Sequence, residues 1–300
     1  MVKTPPNIPP HSYYKKLTID DSSLLQELFR KYPKNICELS MNNLFLWEDF
    51  DRPQLTIINN NLCVLISPLN EPPYFLEPLG EERLLETANV CLNLTGRLSR
   101  ATKDFVALLP PKIYQVKPLR DHFDYIYEIK ELRELKGKKY DGKRNHIKNF
   151  QTSYPGYKTS HLTASRAKEV LALFDKWCEG KKQTELSYRA QRNAIGKVFY
   201  YFDKLSFSGL LVSVNDQMIG FIIGSELTPA MATVHFQYTD PAFAGASQFV
   251  LWEACRSLFN KYELINLEQD LGIEGLRKAK LSYQPLRLEE KFEVNLPGAL

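Results

Sequence analysis

Apolar positions along the chain form helical and strand-like runs, and the runs recur in the same order twice. From Leu17, LTIDDSSLLQELF puts Leu24, Leu25, Leu28 and Phe29 on one helical face. From Leu162, LTASRAKEVLALF does the same with Val170, Leu173, Phe174 and Trp177. Thr18 to Ser23 and Thr163 to Ser165 offer N-cap chemistry. Each half then reaches ELS, at Glu38–Ser40 and Glu185–Ser187, and a second helix or loop, SMNNLFLWEDF or SYRAQRNAIGKVFYYF. Hairpins follow, QLTIINNNLCVLISP and GLLVSVNDQMIGFIIGSEL. They turn at Asn59–Asn61 and Asn215–Gln217, where Asn and Asp tolerate the positive φ of a tight turn. A third strand comes next (YFLEPLG or MATVHFQYTD), then a helix (EERLLETANVCLNL or SQFVLWEACRSLF). A further strand (DFVALLP or ELINLEQD) and a closing strand (FDYIYEI or EKFEVNL) complete each half.

Each half therefore reads β-α-(α)-β-β-β-α-β-(α)-β. The simplest account is a duplicated α/β (α+β) unit, each copy a mixed sheet flanked by helices. The expected organisation is a first unit over residues 1–131, a basic connecting helix over 132–156 and a second unit over 157–300. A chain of 300 residues, 44% hydrophobic and 25% charged, has the composition to fill two such cores.

Composition removes several classes. Five cysteines are scattered without a CxxC pair, which argues against a disulfide framework or zinc knuckle and fits a reducing cytoplasm. The five histidines show no ligand spacing, so no metal is expected. MVKTPPNIPP lacks the apolar core of a secretory signal, and MIGFIIG is too short to span a bilayer. The chain is expected to be soluble, with peripheral membrane contact left open. No GxSxG, P-loop, HExxH or GxGxxG occurs, so hydrolase, NTPase, zinc-protease and dinucleotide readings have no support.

Charge changes the picture at the joint. The whole chain carries +4, yet Lys136, Lys138, Lys139, Lys143, Arg144 and Lys148 lie together with Asp141 as the one acid among them. Like charges at helical spacing repel. A phosphate-bearing ligand would offset that repulsion, with Asn145 and His146 adding donors and Tyr140 and Phe150 offering stacking faces. The competing reading is a charged linker paired with the protein's own acids. Among candidate catalytic groups, Glu268 and Asp270 in NLEQDLG alternate onto one side of the strand, where a carboxylate pair could deprotonate an amine. Asp270 serves equally as a helix N-cap. His235, beside Tyr238 in ATVHFQYTD, is a candidate general base or a hydrogen-bonded core residue.

The element order resembles that of a tandem GNAT acyltransferase. ELSMNNLFLW, ELKGKKYDGKRNHIKNF and NLEQDLGIEGLRKAKLSYQP resemble the phosphatidylglycerol lysyltransferase C-terminal family, related to Fem-type aminoacyltransferases, from Leu17 to Val294. The resemblance implies transfer of an aminoacyl group from aminoacyl-tRNA to a lipid or other amine or hydroxyl acceptor, with no tightly bound cofactor. It also implies a phosphate cradle at Gly245, Ala246 and Ser247, a proton-donating Tyr283, and Arg277 and Lys278 beside the donor. The cradle has one glycine and no base, which leans from acyl-CoA towards tRNA. The matching first-half stretch, PLGEERLLE, is acidic, so the first unit is expected to be structural. Two rivals remain: an acyl-CoA-dependent N-acyltransferase on a small amine, and a non-catalytic RNA-binding protein whose slot is filled by aromatics such as Phe199 to Phe202.

Overall fold

The computed structural model describes residues 8–10, 12–179, 181 and 184–297; the proline-rich residues 1–7 lie outside the described ones. The first half contributes β1 (Lys15–Lys16), α1 (Ser22–Lys31), α2 (Met41–Leu46), α3 (Glu48–Asp51), β2 (Gln54–Ile58), β3 (Asn61–Ile66) and β4 (Tyr74–Phe75). It continues with α4 (Leu84–Thr95), β5 (Arg97–Thr102), α5 (Lys103–Ala107), β6 (Gln115–Pro118) and β7 (Asp124–Glu128). After α6 (Ile129–Glu134) and α7 (Asp141–Ser153), the second half runs β8 (Tyr157–His161), α8 (Ala167–Cys178), α9 (Glu185–Tyr200), β9 (Ser208–Val214), β10 (Gln217–Thr228) and β11 (Met231–Thr239). It ends with α10 (Ala246–Ser257), β12 (Leu264–Asn266), α11 (Glu274–Leu281), β13 (Arg287–Glu289) and β14 (Lys291–Asn295).

Two seven-stranded sheets result, ordered β1-β2-β3-β4-β5-β14-β6 and β8-β9-β10-β11-β12-β7-β13. Both are mixed: β4 and β5 pair in parallel, as do β11 and β12. Position for position the orders are the same, so the duplication is real and each unit is GNAT-like. Both hairpins turn where expected, with Asn59, Asn60, Asn215 and Asp216 all at positive φ.

The units are not contiguous blocks. The closing strands are exchanged: β7, from the first half, pairs with β12 in the second sheet, and β14 pairs with β5 and β6 in the first. The compact units are residues 1–124, 269–273 and 289–300, against 125–268 and 274–288. This corrects the expected divisions at 1–131, 132–156 and 157–300. Burial drives the exchange. Tyr125 and Tyr127 fill the second unit's core, while Val294 fills the first unit's core with Phe75, Leu92 and Leu98. A strand's periodicity states that it is a strand, not which sheet receives it.

Two local expectations also change. DFVALLP is not a strand; Thr102 accepts a hydrogen bond from the Phe105 amide and caps α5 there, and the strand is the preceding RLSRAT. The basic segment is not one helix. Leu135 and Gly137 adopt positive φ and break it, so that α7 begins only at Asp141.

Candidate active site

Glycine creates the site's geometry. Strands β10 and β11 pair with Ile223 opposite Phe236, then Gly224 opposite Val234, so His235 is the extra residue of a bulge. A side chain at Gly224 would meet the Thr233 carbonyl at 2.3 Å and the Phe259 ring at 2.9 Å, so only glycine admits this close approach. The bulge turns His235 inward, its ring edge-on to Phe207. His235 Nε2 lies 2.8 Å from Ser225 Oγ, and its Nδ1 lies 3.0 Å from Glu268 Oε1. Both ring nitrogens of His235 are thus engaged, Nε2 by Ser225 and Nδ1 by Glu268.

Exposure gives this line a direction. Ser225 is 2% exposed and the His235 side chain 0%, whereas the Glu268 side chain is 14% exposed. Glu268 is thus the most exposed of the three side chains. Ser225 is the buried end of the line, its hydroxyl held against His235. Glu268 has φ +56, a left-handed conformation that Asn266 Oδ1 holds by accepting the Glu268 amide at 2.6 Å. Lys280 donates to the Leu267 and Glu268 carbonyls at 2.6 and 3.2 Å and pins the same turn. Nearby on β11, paired with Ser225, the buried Thr233 hydroxyl has no hydrogen-bond partner among the described residues.

A model of the family described as phosphatidylglycerol lysyltransferase, C-terminal, matches residues 29–295. The chain belongs to that family. Among solved structures it is similar to a conserved protein of unknown function from Bacteroides thetaiotaomicron VPI-5482, at 28% identity and TM-score 0.86, covering 94% of this chain and 99% of that one. L-PGS from Bacillus licheniformis has the same fold, with 13% identity, TM-score 0.63 and 95% and 93% covered. FemX likewise shares it, at 10% identity, TM-score 0.57 and 94% and 96% covered. An uncharacterised protein of Mycoplasmoides gallisepticum is 25% identical over 182 residues, 58% of this chain and 56% of that relative, so the match spans about half of the relative's length.

Within this lysyltransferase-family chain, the other expected residues fall in several places. Asp270 does not join Glu268. Strand β12 ends at Asn266, Asp270 belongs to the first unit, and there its carboxylate pairs with Arg120 at 2.9 Å and accepts the Gly272 amide. Nor does it cap α11, which starts at Glu274. Tyr283 packs against the second unit's core with the Lys143 ammonium 3.7 Å from its ring centre. Burial, with Cys255 adding, raises its hydroxyl far above the ordinary tyrosine range and makes it a reluctant proton donor. Tyr238 donates to Gln191 at 2.6 Å and packs on Phe174 and Trp177.

The basic segment is partly self-neutralised. Lys136 pairs with Glu134 at 2.7 Å, Lys139 with Glu131 at 2.8 Å, and Arg144 with Asp141 while also donating to the Leu135 and Gly137 carbonyls. Among the described residues, Lys138, Lys143 and Lys148 have no carboxylate partner; Asn145 and His146 are exposed on α7. Burial lowers the Lys143 pKa, and its ammonium donates to Ser282 Oγ at 2.6 Å. Tyr140 and Phe150 are no stacking platform: both are core residues, Phe150 stacked on Phe249 at 4.7 Å.

At the expected phosphate cradle, Gly245 has φ +81, and a side chain there would meet the His146 carbonyl at 2.3 Å. The α7 backbone thus covers this end of α10. Ala246 is buried, and Ser247 receives two hydrogen bonds from Gln237. Arg277 and Lys278 line an open depression on α11.

The sequence reading missed Ser225, whose signal is one hydroxyl inside the apolar run FIIGSEL, and the polar interior of the first unit. There Lys291, fully buried, lies 2.5 Å from Glu38 Oε2, 2.7 Å from Asp124 Oδ1 and 3.7 Å from Cys37 Sγ. Burial opposes its charge, but Asp124, Cys37 and Glu38 hold it protonated well above the usual lysine range. Cys37, Glu38 and Asp124 have the spacing of a metal site, with ligand atoms within 4.8 Å. The lysine already supplies their counter-charge. In the same unit, burial pushes the Asp51 carboxyl up to about 7 and, with Arg100 and Lys291, holds His122 down to about 4.

Proposed function

We propose that this chain is an aminoacyltransferase. It takes an aminoacyl group from the 3′ end of an aminoacyl-tRNA and places it on an amine or hydroxyl acceptor. The observation that carries the reading is the Ser225–His235–Glu268 hydrogen-bonded line, which runs from a strand bulge at His235 to a partly exposed glutamate. The ester donor is already activated, so the protein's work is orientation and proton transfer. The acceptor's nitrogen or oxygen attacks the ester carbonyl while Glu268 takes its proton. Collapse of the tetrahedral adduct breaks the bond to the tRNA oxygen, which recovers that proton as a hydroxyl. His235, held by Ser225, fixes the carboxylate's orientation throughout.

Family membership supports the transfer class, and the covered end of α10 favours tRNA over an acyl-CoA donor. The test is to incubate the chain with tRNA charged with labelled amino acids, alongside acyl-CoA donors, and follow label into amine- and lipid-containing acceptors. Label should leave tRNA, and Glu268→Gln should slow transfer by about 10²–10⁴-fold. Charge reversal at Lys143 and Arg144 should weaken tRNA binding at unchanged far-UV circular dichroism. Transfer from acyl-CoA alone, or a Glu268→Gln protein as fast as the parent, would refute the reading.

A further inference from the structure

The first unit, expected to be structural, repeats the backbone geometry that presents Glu268 in the second. Leu98 on β5 lies opposite Val294, as Asn266 on β12 lies opposite Ile126. Two residues further along each chain segment, Arg100 at φ +59 and Glu268 at φ +56 adopt the same left-handed conformation. Ser99 and Arg100 together face Glu293 before Ala101 pairs with Phe292, so Arg100 sits in a bulge of β5. It is 8% exposed and lies 4.8 Å from the Tyr74 ring centre. Hydrogen bonds to Ser99 Oγ at 2.7 Å and Glu71 Oε1 at 2.9 Å engage two of its five N–H groups. Arg100 acts electrostatically on Asp51, Tyr74 and His122, and Glu38 and Glu71 act on Arg100. Two buried atoms of this set, Glu38 Oε1 and His122 Nδ1, have no hydrogen-bond partner among the described residues. The cluster reaches solvent at Glu71 and Glu38, whose side chains are 26% and 14% exposed.

The charges around Arg100 select the ligand. A purely anionic molecule there would meet Glu38, Asp51 and Glu71. A purely cationic one would meet Arg100 itself and Lys291, which holds the other oxygen of Glu38. Buried charge is tolerated when it is paired, so a small molecule bearing both signs close together suits this interior. We propose that the first unit contains a binding site for a free α-amino acid. Its carboxylate is held by the open N–H groups of Arg100, and its ammonium donates to Glu38 Oε1 and His122 Nδ1. A guanidinium is suited to a carboxylate by its forked donors. The His122 ring can accept, because burial, Arg100 and Lys291 hold its pKa down to about 4 and leave it neutral at pH 7. At the strand position where the second unit presents a carboxylate, the first presents a cation, so the duplicated geometry serves an anionic group. The ligand is not the donor of the proposed transfer, since an aminoacyl ester has no free carboxylate for Arg100. The proposal is independent of that transfer, because its readout is binding.

The experiment is equilibrium dialysis of the full chain against radiolabelled glycine, L-alanine, L-serine and L-leucine. At least one of them should bind, saturating at one per chain. Unlabelled methylamine, acetate and glycine methyl ester each lack one of the two charges, and each should compete at least about tenfold more weakly than the bound amino acid. Arg100→Lys keeps the charge and removes the fork, and should weaken binding by about tenfold. Should that variant lose its far-UV circular dichroism, His122→Phe carries the test: it keeps a ring on a partly exposed turn, removes the acceptor, and should also weaken binding at an unchanged or higher urea midpoint. The proposal is overturned if none of the amino acids binds the parent, or if methylamine, acetate or the methyl ester competes as well as the amino acid does. It is equally overturned if the folded variants bind as the parent does.

Discussion

At the scale of single residues, exposure decides roles that residue type leaves open. Serine, histidine and glutamate in a line suggest a nucleophile, yet the serine is 2% exposed and the glutamate, at 14%, is the more exposed end. Asp51 shows how position rewrites titration. Burial dominates its shift, Arg100 opposes it, Glu38 and Glu71 add to it, and its carboxyl is raised to about 7. A carboxyl raised above its unfolded value of about 3.9 contributes stability that is complete below that value and lost as pH climbs through 7. Asp51→Asn should therefore match the parent's melting temperature near pH 4 and exceed it at pH 8. A gap that does not widen with pH would mean that Asp51 is not held protonated. His122, lowered to about 4, works in the opposite sense: its contribution is present above about 6.5 and is lost as pH falls towards 4.

At the scale of elements, backbone approach decides what helices can hold. The α10 N-terminus looks like an anion cradle by sequence, but α7 closes on it through the His146 carbonyl, and that contact explains the glycine. Gly245→Ala combines a 2.3 Å contact with a left-handed φ. It should cost on the order of 1–3 kcal/mol, read by urea titration. A phosphate cradle would instead show little stability change and a loss of ligand binding. The repeat itself was legible at this scale. Helical spacing at Leu24–Phe29 and Val170–Trp177, and Asn-Asn and Asn-Asp pairs at the two hairpin turns, are short-range signals that the chain writes directly. DFVALLP was misread because an apolar run of that length satisfies either period, and the Thr102 cap settled it.

At the scale of the molecule, strand exchange makes the chain's two ends interdependent. Strand β14 lies between β5 and β6, and Lys291 at its start neutralises Glu38 and Asp124 in the first unit's interior. Truncation after Leu288 should expose β5 and β6 to hydrogen exchange and leave the buried Asp124 and the partly buried Glu38 uncompensated. The damage should appear in the N-terminal unit, although the deletion is C-terminal. Protection loss confined to the second unit would contradict the exchange.

The sequence by itself determined the doubled α/β pattern, the hairpins, the family motifs and the candidacy of Glu268 and His235, because these rest on periodicity and local backbone chemistry. It could not state that Glu268 and Asp270 part company, that Tyr140 and Phe150 are core, or which sheet each closing strand enters. Those outcomes depend on which apolar faces are left to be buried and which cations find a carboxylate within reach. Long-range packing settles both, and spacing along the chain carries no record of it.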